Sequence, residues 1–205
     1  MSAEGAPTTT REQRASRRES LVRAAIDVMA EQGMAQSRLA DVANRAGISP
    51  GQVLYYFESK ADLFLHALRT IEADLRREVL AAGSELHSAA ERWEHLLQLA
   101  APTGAGDFRL LLWLEAWELA PRDPYVAAQV QQLEDQWQAM VLDILRYGRE
   151  RGELACDDLE SFVMRFSALM DGLTIQVVVG SPRVSRETML TICRQMAQQE
   201  LRWRT

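Results

Sequence analysis

Apolar residues recur at helical spacing along nearly the whole chain, and the strict alternation typical of a β-strand is almost absent. In residues 16–32, for example, Leu21, Ala25, Val28 and Met29 share one helical face, and Gly33 follows as a stop signal. Glycine and proline separate the later segments. We predict further helices at about residues 38–46, from 50, from 59, and at 89–100, 108–119, 125–151, 159–179 and 186–203. The pattern predicts an all-α fold.

The charge of the chain is acidic overall but unevenly distributed. Its 205 residues hold 23 basic and 29 acidic side chains, and this net charge of −6 by itself argues against a nucleic-acid partner. Between Arg11 and Lys60, however, eight basic side chains outnumber six acidic ones, so that this segment carries +2 and the rest −8. Residues 1–15 are predicted to form a flexible arm that could follow a DNA backbone or enter a minor groove.

Several classes of protein lack support in the sequence. Cys156 and Cys193 match no disulfide, zinc or redox motif, and the three histidines form no metalloprotease motif. We therefore expect no enzymatic activity, no cofactor, no catalytic residue and no metal site. The N-terminus lacks the apolar segment of a secretory signal, and no run approaches the ~18 apolar residues of a membrane span. The expected location is the cytoplasm, with no membrane partner.

Two short helices joined by a tight glycine turn between Ser37 and Phe57 have the layout of a helix-turn-helix. Ser37 is the predicted N-cap of the first helix, and Gly47 is its left-handed C-terminal residue. The second helix begins at Ser49-Pro50-Gly51-Gln52 with a capping box, and its free amides and dipole suit a phosphate. A helical hairpin with solvated turns has the same spacing, so the pattern alone leaves both interpretations open.

The predicted DNA contacts lie near the start of the first helix, in the helix-turn-helix and at the start of the following helix. They are Arg17, Ser37, Arg38, Ser49, Pro50, Gly51, Gln52, Tyr55, Tyr56 and Lys60. Gln52 would place a hydrogen-bonding side chain near base edges, whereas the hydroxyls of Tyr55 and Tyr56 can reach phosphate.

The stretch from Leu21 to Phe64 resembles the N-terminal DNA-binding domain of TetR-type transcriptional repressors. The matching positions are Ser37, Val42-Ala43, Ala46-Gly47-Ile48-Ser49, Gly51, Tyr56-Phe57, Ser59-Lys60 and Leu63. Leu54 stands where the family often has its first Tyr, so that phosphate contact is absent or moved to Tyr55 or Tyr56. Pro50 replaces a common Lys or Arg, which removes one contact. The resemblance implies a three-helix DNA-binding domain in which Lys60 contacts phosphate.

The C-terminal part is similar to regulators of the betaine-repressor subgroup, through residues 108–117, 122–124 and 171–173. This resemblance implies that the first three helices bind DNA, that later helices form a ligand pocket, and that the last two form a homodimer. It also implies induction, in which a small molecule shifts the helix beginning at Lys60. The two recognition helices would then spread beyond the ~34–36 Å spacing of one DNA turn.

Aromatic and sulfur-containing side chains at helical spacing are candidates for the wall of an apolar pocket. They are Phe108, Trp113, Trp117, Trp137, Met140, Phe166 and Met170. An aromatic pair could hold a quaternary ammonium group by cation–π contact. Ordinary core packing explains the same spacing, so both interpretations remain open for each residue.

The last two predicted helices are apolar over most of their surface, which indicates burial. Burial against a second subunit predicts a homodimer interface made by Phe162, Phe166, Leu169, Leu173, Val177, Met189, Ile192, Cys193 and Met196. Burial inside a single chain is the alternative.

Together these patterns predict an all-α, homodimeric, ligand-responsive transcriptional repressor that binds a pseudo-palindromic double-stranded DNA operator. Residues 16–60 would form the helix-turn-helix domain, and residues 61–205 would bind a small-molecule effector and dimerise. The alternative is a small all-α ligand-binding or enzymatic bundle whose N-terminal hairpin has no operator.

Overall fold

The computed structural model describes residues 10–33, 36–83 and 85–204, and within them the chain forms nine α-helices and no strand. The helices are α1 (Thr10–Gln32), α2 (Leu39–Arg45), α3 (Pro50–Tyr56), α4 (Lys60–Ala82), α5 (Ala89–Ala100), α6 (Phe108–Leu119), α7 (Pro124–Glu150), α8 (Leu159–Val178) and α9 (Arg186–Leu201). The predicted all-α fold is confirmed. Apart from the start of α1, the predicted helix ends lie within about two residues of the observed ones.

The first helix begins earlier than predicted. Residues 10–15, placed in the flexible arm by the sequence, belong to α1, while residues 1–9 of that arm lie outside the described residues. Residues 11–20 are all exposed, which explains why no apolar periodicity marks this part of the helix. Its Arg, Glu, Gln and Ala residues favour a helix, and neither Gly nor Pro interrupts it.

The described residues form two compact units, one ending at Thr70 and the other beginning at Ile71. The N-terminal compact unit thus extends past Lys60, where the sequence predicted the end of the DNA-binding domain. The first part of α4 belongs to the N-terminal unit, and its side chains Phe64, Leu65 and Leu68 are fully buried.

Buried side chains on one face of each helix build the core of the N-terminal unit. Leu21 and Ala25 on α1, Val53 on α3 and Phe57 after it are at most 1% exposed. Gly47 joins α2 to α3 with φ of +66°, a left-handed conformation that favours glycine. This tight turn fixes the position of α3 against α2.

The core of the C-terminal unit is aromatic. Trp93 packs on Phe166, with ring centroids 4.6 Å apart, and Phe166 stacks on Phe162 at 5.9 Å. A close approach of α5 and α7 requires glycine at position 148, because a Cβ there would lie 2.5 Å from the Cβ of Ala89.

Within the described part of the chain, α8 alone is long and apolar enough to count as a candidate membrane span. The sequence analysis found no such run, because Arg165 and Asp171 interrupt the apolar residues. Half of the stretch is buried inside the protein, as the core helix of a folded domain is.

Candidate functional site

The start of α3 is held by a reciprocal capping box. The Oγ of Ser49 accepts a hydrogen bond from the backbone N–H of Gln52 at 3.3 Å, and the Oε1 of Gln52 accepts one from the backbone N–H of Ser49 at 3.0 Å. The side-chain carbonyl of Gln52 is thus occupied, and only its amide NH₂ group can point outward. Gln52 has a structural role in addition to the predicted base contact.

The exposed surface of α3 is aromatic. Tyr55 is 66% exposed and Leu54 is 53% exposed. The ring of Tyr55 meets that of Tyr56 edge to face at 5.2 Å, and the guanidinium of Arg14 lies 5.1 Å from the Tyr55 ring centroid. Arg14 was predicted to belong to the flexible arm, whereas it lies on α1 and contacts α3.

Most of the predicted DNA contacts lie at the surface, with Tyr56 and Lys60 half-buried. The exposed ones are Arg17, Arg38, Ser49, Pro50, Gly51, Gln52 and Tyr55. Ser37 is the exception: it is 3% exposed and donates its hydroxyl to the carbonyl of Gly33 at 2.8 Å. The N-cap of α2 is Arg38, whose backbone N–H donates a hydrogen bond to the carboxylate of Asp41 at 2.9 Å. The prediction that Ser37 caps α2 is therefore wrong, and its hydroxyl is engaged within the chain.

A second arginine of α1, Arg18, contacts other residues of the N-terminal unit. Arg18 donates to the Nε2 of His66 at 2.7 Å, and its guanidinium lies 5.1 Å from the ring centroid of Phe57. Burial lowers the pKa of His66, and the neighbouring charge of Arg18 lowers it further. The neutral imidazole accepts the hydrogen bond that joins α1 to the start of α4.

The C-terminal unit encloses a cavity of about 280 Å³, close to the lower size limit of small-molecule pockets. Its wall combines three tryptophans, three carboxylates and one guanidinium with smaller apolar side chains. The residues that line it are Glu72, Leu75, Ala100, Arg109, Leu110, Trp113, Trp117, Glu134, Trp137, Gln138, Met164, Ser167, Ala168, Met170, Asp171 and Thr174.

Each of the three tryptophans is oriented by a hydrogen bond from its indole N–H. Trp113 donates to Glu72 at 2.7 Å, and Trp117 donates to Glu134 at 3.3 Å. Trp137 donates to the hydroxyl of Ser167 at 3.0 Å. The rings of Trp113 and Trp117 lie 5.5 Å apart at 37°. Their N–H groups are thus engaged with the protein, and what the indoles retain for a ligand is the π-system, which attracts cations.

Two of the carboxyl groups are costly to ionise. Burial raises the pKa of Glu72, although the hydrogen bond from Trp113 and the charge of Arg109 act in the opposite direction. Burial, with a further contribution from the charge of Glu134, raises the pKa of Asp171 to about 6. As a residue Asp171 is exposed, but it stands in the cavity wall, where protein atoms displace part of the water around its carboxyl.

Four of the seven predicted pocket residues line this cavity: Trp113, Trp117, Trp137 and Met170. The other three do not, and predicting them for this wall was wrong. Phe108 is half-buried elsewhere, Met140 lines a separate and smaller cavity, and Phe166 is fully buried in the aromatic core.

The charged part of the cavity wall was not predicted from the sequence. It consists of Glu72, Arg109, Glu134 and Asp171. Glu72 is 41 residues away from Trp113 along the chain, so no local pattern connects the two. A carboxylate within an otherwise apolar helical stretch, such as Asp171 in α8, is a signal that could have been used.

The predicted dimer interface is largely the core of a single subunit. Six of its nine residues are at most 8% exposed in the isolated chain: Phe162, Phe166, Leu173, Val177, Met189 and Cys193. They are buried because α8 and α9 pack on each other, on α7 and on α5. Leu169, Ile192 and Met196 are the members of the predicted set that remain partly exposed, and the interface itself stays a prediction.

Comparison with known families decides the identity of the fold. Residues 21–67 match the family of bacterial regulatory proteins named after TetR, and residues 89–202 match the C-terminal domain of BetI-type transcriptional repressors. The chain belongs to the TetR family. Its C-terminal domain is BetI-type, and the protein is a DNA-binding transcriptional regulator. The prediction of a transcriptional regulator is thereby confirmed. The alternative, a helical bundle that has no operator, is not supported.

Individual relatives agree along nearly the whole chain. The transcriptional regulator BetI of Rhizobium meliloti is 27% identical over 189 residues, which cover 91% of this chain and 90% of that protein. BetI of Klebsiella pneumoniae is 29% identical over 173 residues, covering 81% and 85%. A transcriptional regulator from Saccharomonospora viridis, solved in complex with choline, has a TM-score of 0.78 and 26% identity and covers 91% of this chain and 98% of that one.

Proposed function

We propose that this TetR-family regulator is a repressor that binds a pseudo-palindromic operator as a homodimer and releases it when an organic ammonium cation enters the cavity. The observation that carries the proposal is the wall of three oriented tryptophans and three carboxylates, Glu72, Glu134 and Asp171. A ring face and a negative charge are the two features that attract a cation lacking N–H groups. The choline complex of the Saccharomonospora viridis relative supports the same ligand class.

The proposed operator contacts are the surface residues at the start of α3, together with neighbouring basic side chains. Gly51 and the amide of Gln52 stand at the N-terminus of α3, where backbone N–H groups favour a phosphate or a base edge. The remaining proposed contacts are Arg17, Arg38, Ser49, Pro50, Tyr55, Tyr56 and Lys60. Arg14 joins them because its guanidinium lies against the exposed ring of Tyr55.

The proposed dimer uses the outer face of α8 in place of the buried residues inferred from the sequence. Met164 and Val179 are 67% and 64% exposed, and Ile175 is 36% exposed. Met164 and Ile175 share one face of the helix, 11 residues apart, and Val179, the C-cap residue four positions after Ile175, follows on the same side. The partly exposed Leu169, Ile192 and Met196 would lie at the margin of the same interface.

The helix α4 provides a route from ligand to DNA. It begins at Lys60 in the N-terminal unit and carries Glu72, which lines the cavity, in the C-terminal unit. A ligand that moves Glu72 or Trp113 would bias the position of α4. Typical allosteric couplings of about 1–3 kcal/mol correspond to about 5- to 150-fold in affinity. We further propose that the protein has no catalytic activity and acts in the cytoplasm, where its DNA target would be.

The experiment that tests this function is fluorescence anisotropy with labelled DNA. A pseudo-palindromic fragment from the protein's own promoter region is compared with a scrambled fragment of equal length at several salt concentrations. Specific binding should survive at ~0.15 M salt, while binding to the scrambled fragment should fall steeply. Equal affinity for both fragments at that salt concentration would contradict the repressor function.

A further inference from the structure

The three carboxylates of the cavity differ in what they contact. Glu72 accepts a hydrogen bond from Trp113 at 2.7 Å, and Glu134 accepts one from Trp117 at 3.3 Å. Asp171 lines the same cavity, yet no hydrogen bond or ion pair joins its carboxylate to any of the described side chains. Two carboxylates are therefore used to orient the aromatic wall, and the third is available to a ligand.

No cation of the cavity wall neutralises Asp171. Arg109, the one guanidinium in the wall, donates to the backbone carbonyl of Ala100 at 2.6 Å, and its charge acts on Glu72. The charged group that does act on Asp171 is Glu134, whose charge has the same sign. The negative charge of ionised Asp171 is thus poorly compensated. A bound cation would offset both the desolvation of the carboxylate and its repulsion by Glu134.

We propose that Asp171 is the counter-ion of the effector's cationic head and the residue that makes the cavity select a cation over a neutral molecule of the same shape. This inference rests on the proposed function, because it assigns one residue of the same ligand site. A quaternary ammonium group has no N–H to donate, so its recognition depends on ring faces and on an opposite charge. Trp113, Trp117 and Trp137 supply the faces, and Asp171 supplies the charge.

A metal ion does not explain the free carboxylate. In the described part of the chain, no group of three His, Cys, Asp or Glu side chains is arranged to hold a metal, and Glu72, Glu134 and Asp171 do not form one. The carboxylates are spread around an aromatic wall, an arrangement that fits a large monovalent organic cation.

The test compares choline with 3,3-dimethylbutan-1-ol, in which a carbon atom replaces the charged nitrogen. Binding of both probes is measured by isothermal titration calorimetry at pH 7.5 for the wild-type protein and for Asp171→Asn. Asp135→Asn is the matched control, because it makes the same change at an exposed carboxylate of α7 that lies outside the cavity wall. Circular dichroism verifies that each variant is folded.

Asp171→Asn should lower the affinity for choline by roughly 10- to 100-fold, the range for losing a charged partner, and should leave the neutral probe within about two-fold. Asp135→Asn should change both affinities by less than about three-fold, because water and salt screen an exposed charge. Equal choline affinity in wild type and Asp171→Asn, or equal losses in both variants, would overturn the assignment of Asp171 as counter-ion. The proposed ligand class would be unaffected by that result. If the wild-type protein bound choline no better than the neutral probe, both the ligand class and the counter-ion would be wrong.

Discussion

Asp171 links the chemistry of the cavity to pH. Its pKa of about 6 means that the carboxyl is mostly ionised at pH 7 and mostly protonated at pH 5. Glu72, Glu134 and Arg109 are the other charged groups in the wall, and burial raises the pKa of Glu72 in the same direction. If Asp171 is the counter-ion, as proposed, a cation pairs with the ionised carboxylate, so its affinity should decrease as the pH is lowered.

We predict that choline affinity falls by about ten-fold between pH 7 and pH 5, as expected for a single group with a pKa near 6. Titration calorimetry across this range measures the profile. The Asp171→Asn variant should retain only the dependence that Glu72 contributes. Superimposable profiles for the wild type and the variant would contradict a role for Asp171 in binding.

Ser37 illustrates how a surface prediction can fail at a single residue. The motif places it among the DNA contacts, but its hydroxyl is buried and bonded to the carbonyl of Gly33. Removing the hydroxyl deletes this hydrogen bond, which is worth about 1 kcal/mol, while the carbonyl of Gly33 keeps its hydrogen bond from the backbone N–H of Ser37 at 3.2 Å.

We therefore expect Ser37→Ala to lower the free energy of unfolding by about 1 kcal/mol or more while leaving the operator affinity of the folded protein unchanged. Chemical denaturation and anisotropy titrations measure the two quantities. The exposed Ser49, whose hydroxyl accepts from Gln52, is the comparison site on the DNA side. A loss of operator affinity in Ser37→Ala without a loss of stability would show that the hydroxyl contacts DNA.

On the scale of helices, the sequence predicted the fold well wherever caps and stop residues are local. Ser49 with Gln52 marks the start of α3, and Gly47 marks the turn before it, because both signals depend on neighbours along the chain. The start of α1 was missed because its first turns are exposed throughout and show no apolar face. Apolar periodicity therefore cannot locate the part of a helix in which every side chain is exposed.

The wall of the cavity was only half predictable for a related reason. Trp137 and Phe166 both lie on apolar helical faces, yet Trp137 lines the cavity and Phe166 is fully buried among Trp93 and Phe162. Periodicity identifies the inner face of a helix but not whether that face meets a neighbour or a void. The partner of Trp113, Glu72, is distant in sequence and becomes visible only when α4 and α6 pack together.

The capping box of α3 makes a prediction about a whole helix. Glutamate at position 52 can accept the same hydrogen bond from the backbone of Ser49, and it places a negative charge near the helix N-terminus. Gln52→Glu should therefore keep or slightly raise the melting temperature, yet weaken binding to every DNA fragment through repulsion of phosphate.

Gln52→Ala is the matched variant, which loses the hydrogen bond from the backbone N–H of Ser49 but keeps the Ser49 cap, and it should lose about 0.5–1.5 kcal/mol of stability. Differential scanning calorimetry and anisotropy give the two results for each variant. If Gln52→Glu bound operator as tightly as the wild type, the start of α3 would not face DNA.

At the scale of the whole molecule, the proposed homodimer would depend on the outer face of α8. Val179→Glu should dissociate it, because a charge would be buried in an apolar contact. Leu80→Glu is the matched control, since Leu80 is 63% exposed and Val179 is 64% exposed, but Leu80 lies on α4. Sedimentation velocity should detect a monomer for Val179→Glu and the wild-type mass for Leu80→Glu. A dimer that survived Val179→Glu and Met164→Glu together would exclude this face as the interface.

The central claim is that a cation in the aromatic and acidic cavity weakens operator binding. Its most direct test is the operator affinity of the wild-type protein, measured by anisotropy at ~0.15 M salt, without ligand, with saturating choline and with the neutral probe 3,3-dimethylbutan-1-ol. Choline should lower the affinity by about 5- to 150-fold, the usual range of allosteric coupling, and the neutral probe should leave it unchanged. An operator affinity that stays constant while calorimetry shows the cavity saturated with choline would contradict the account.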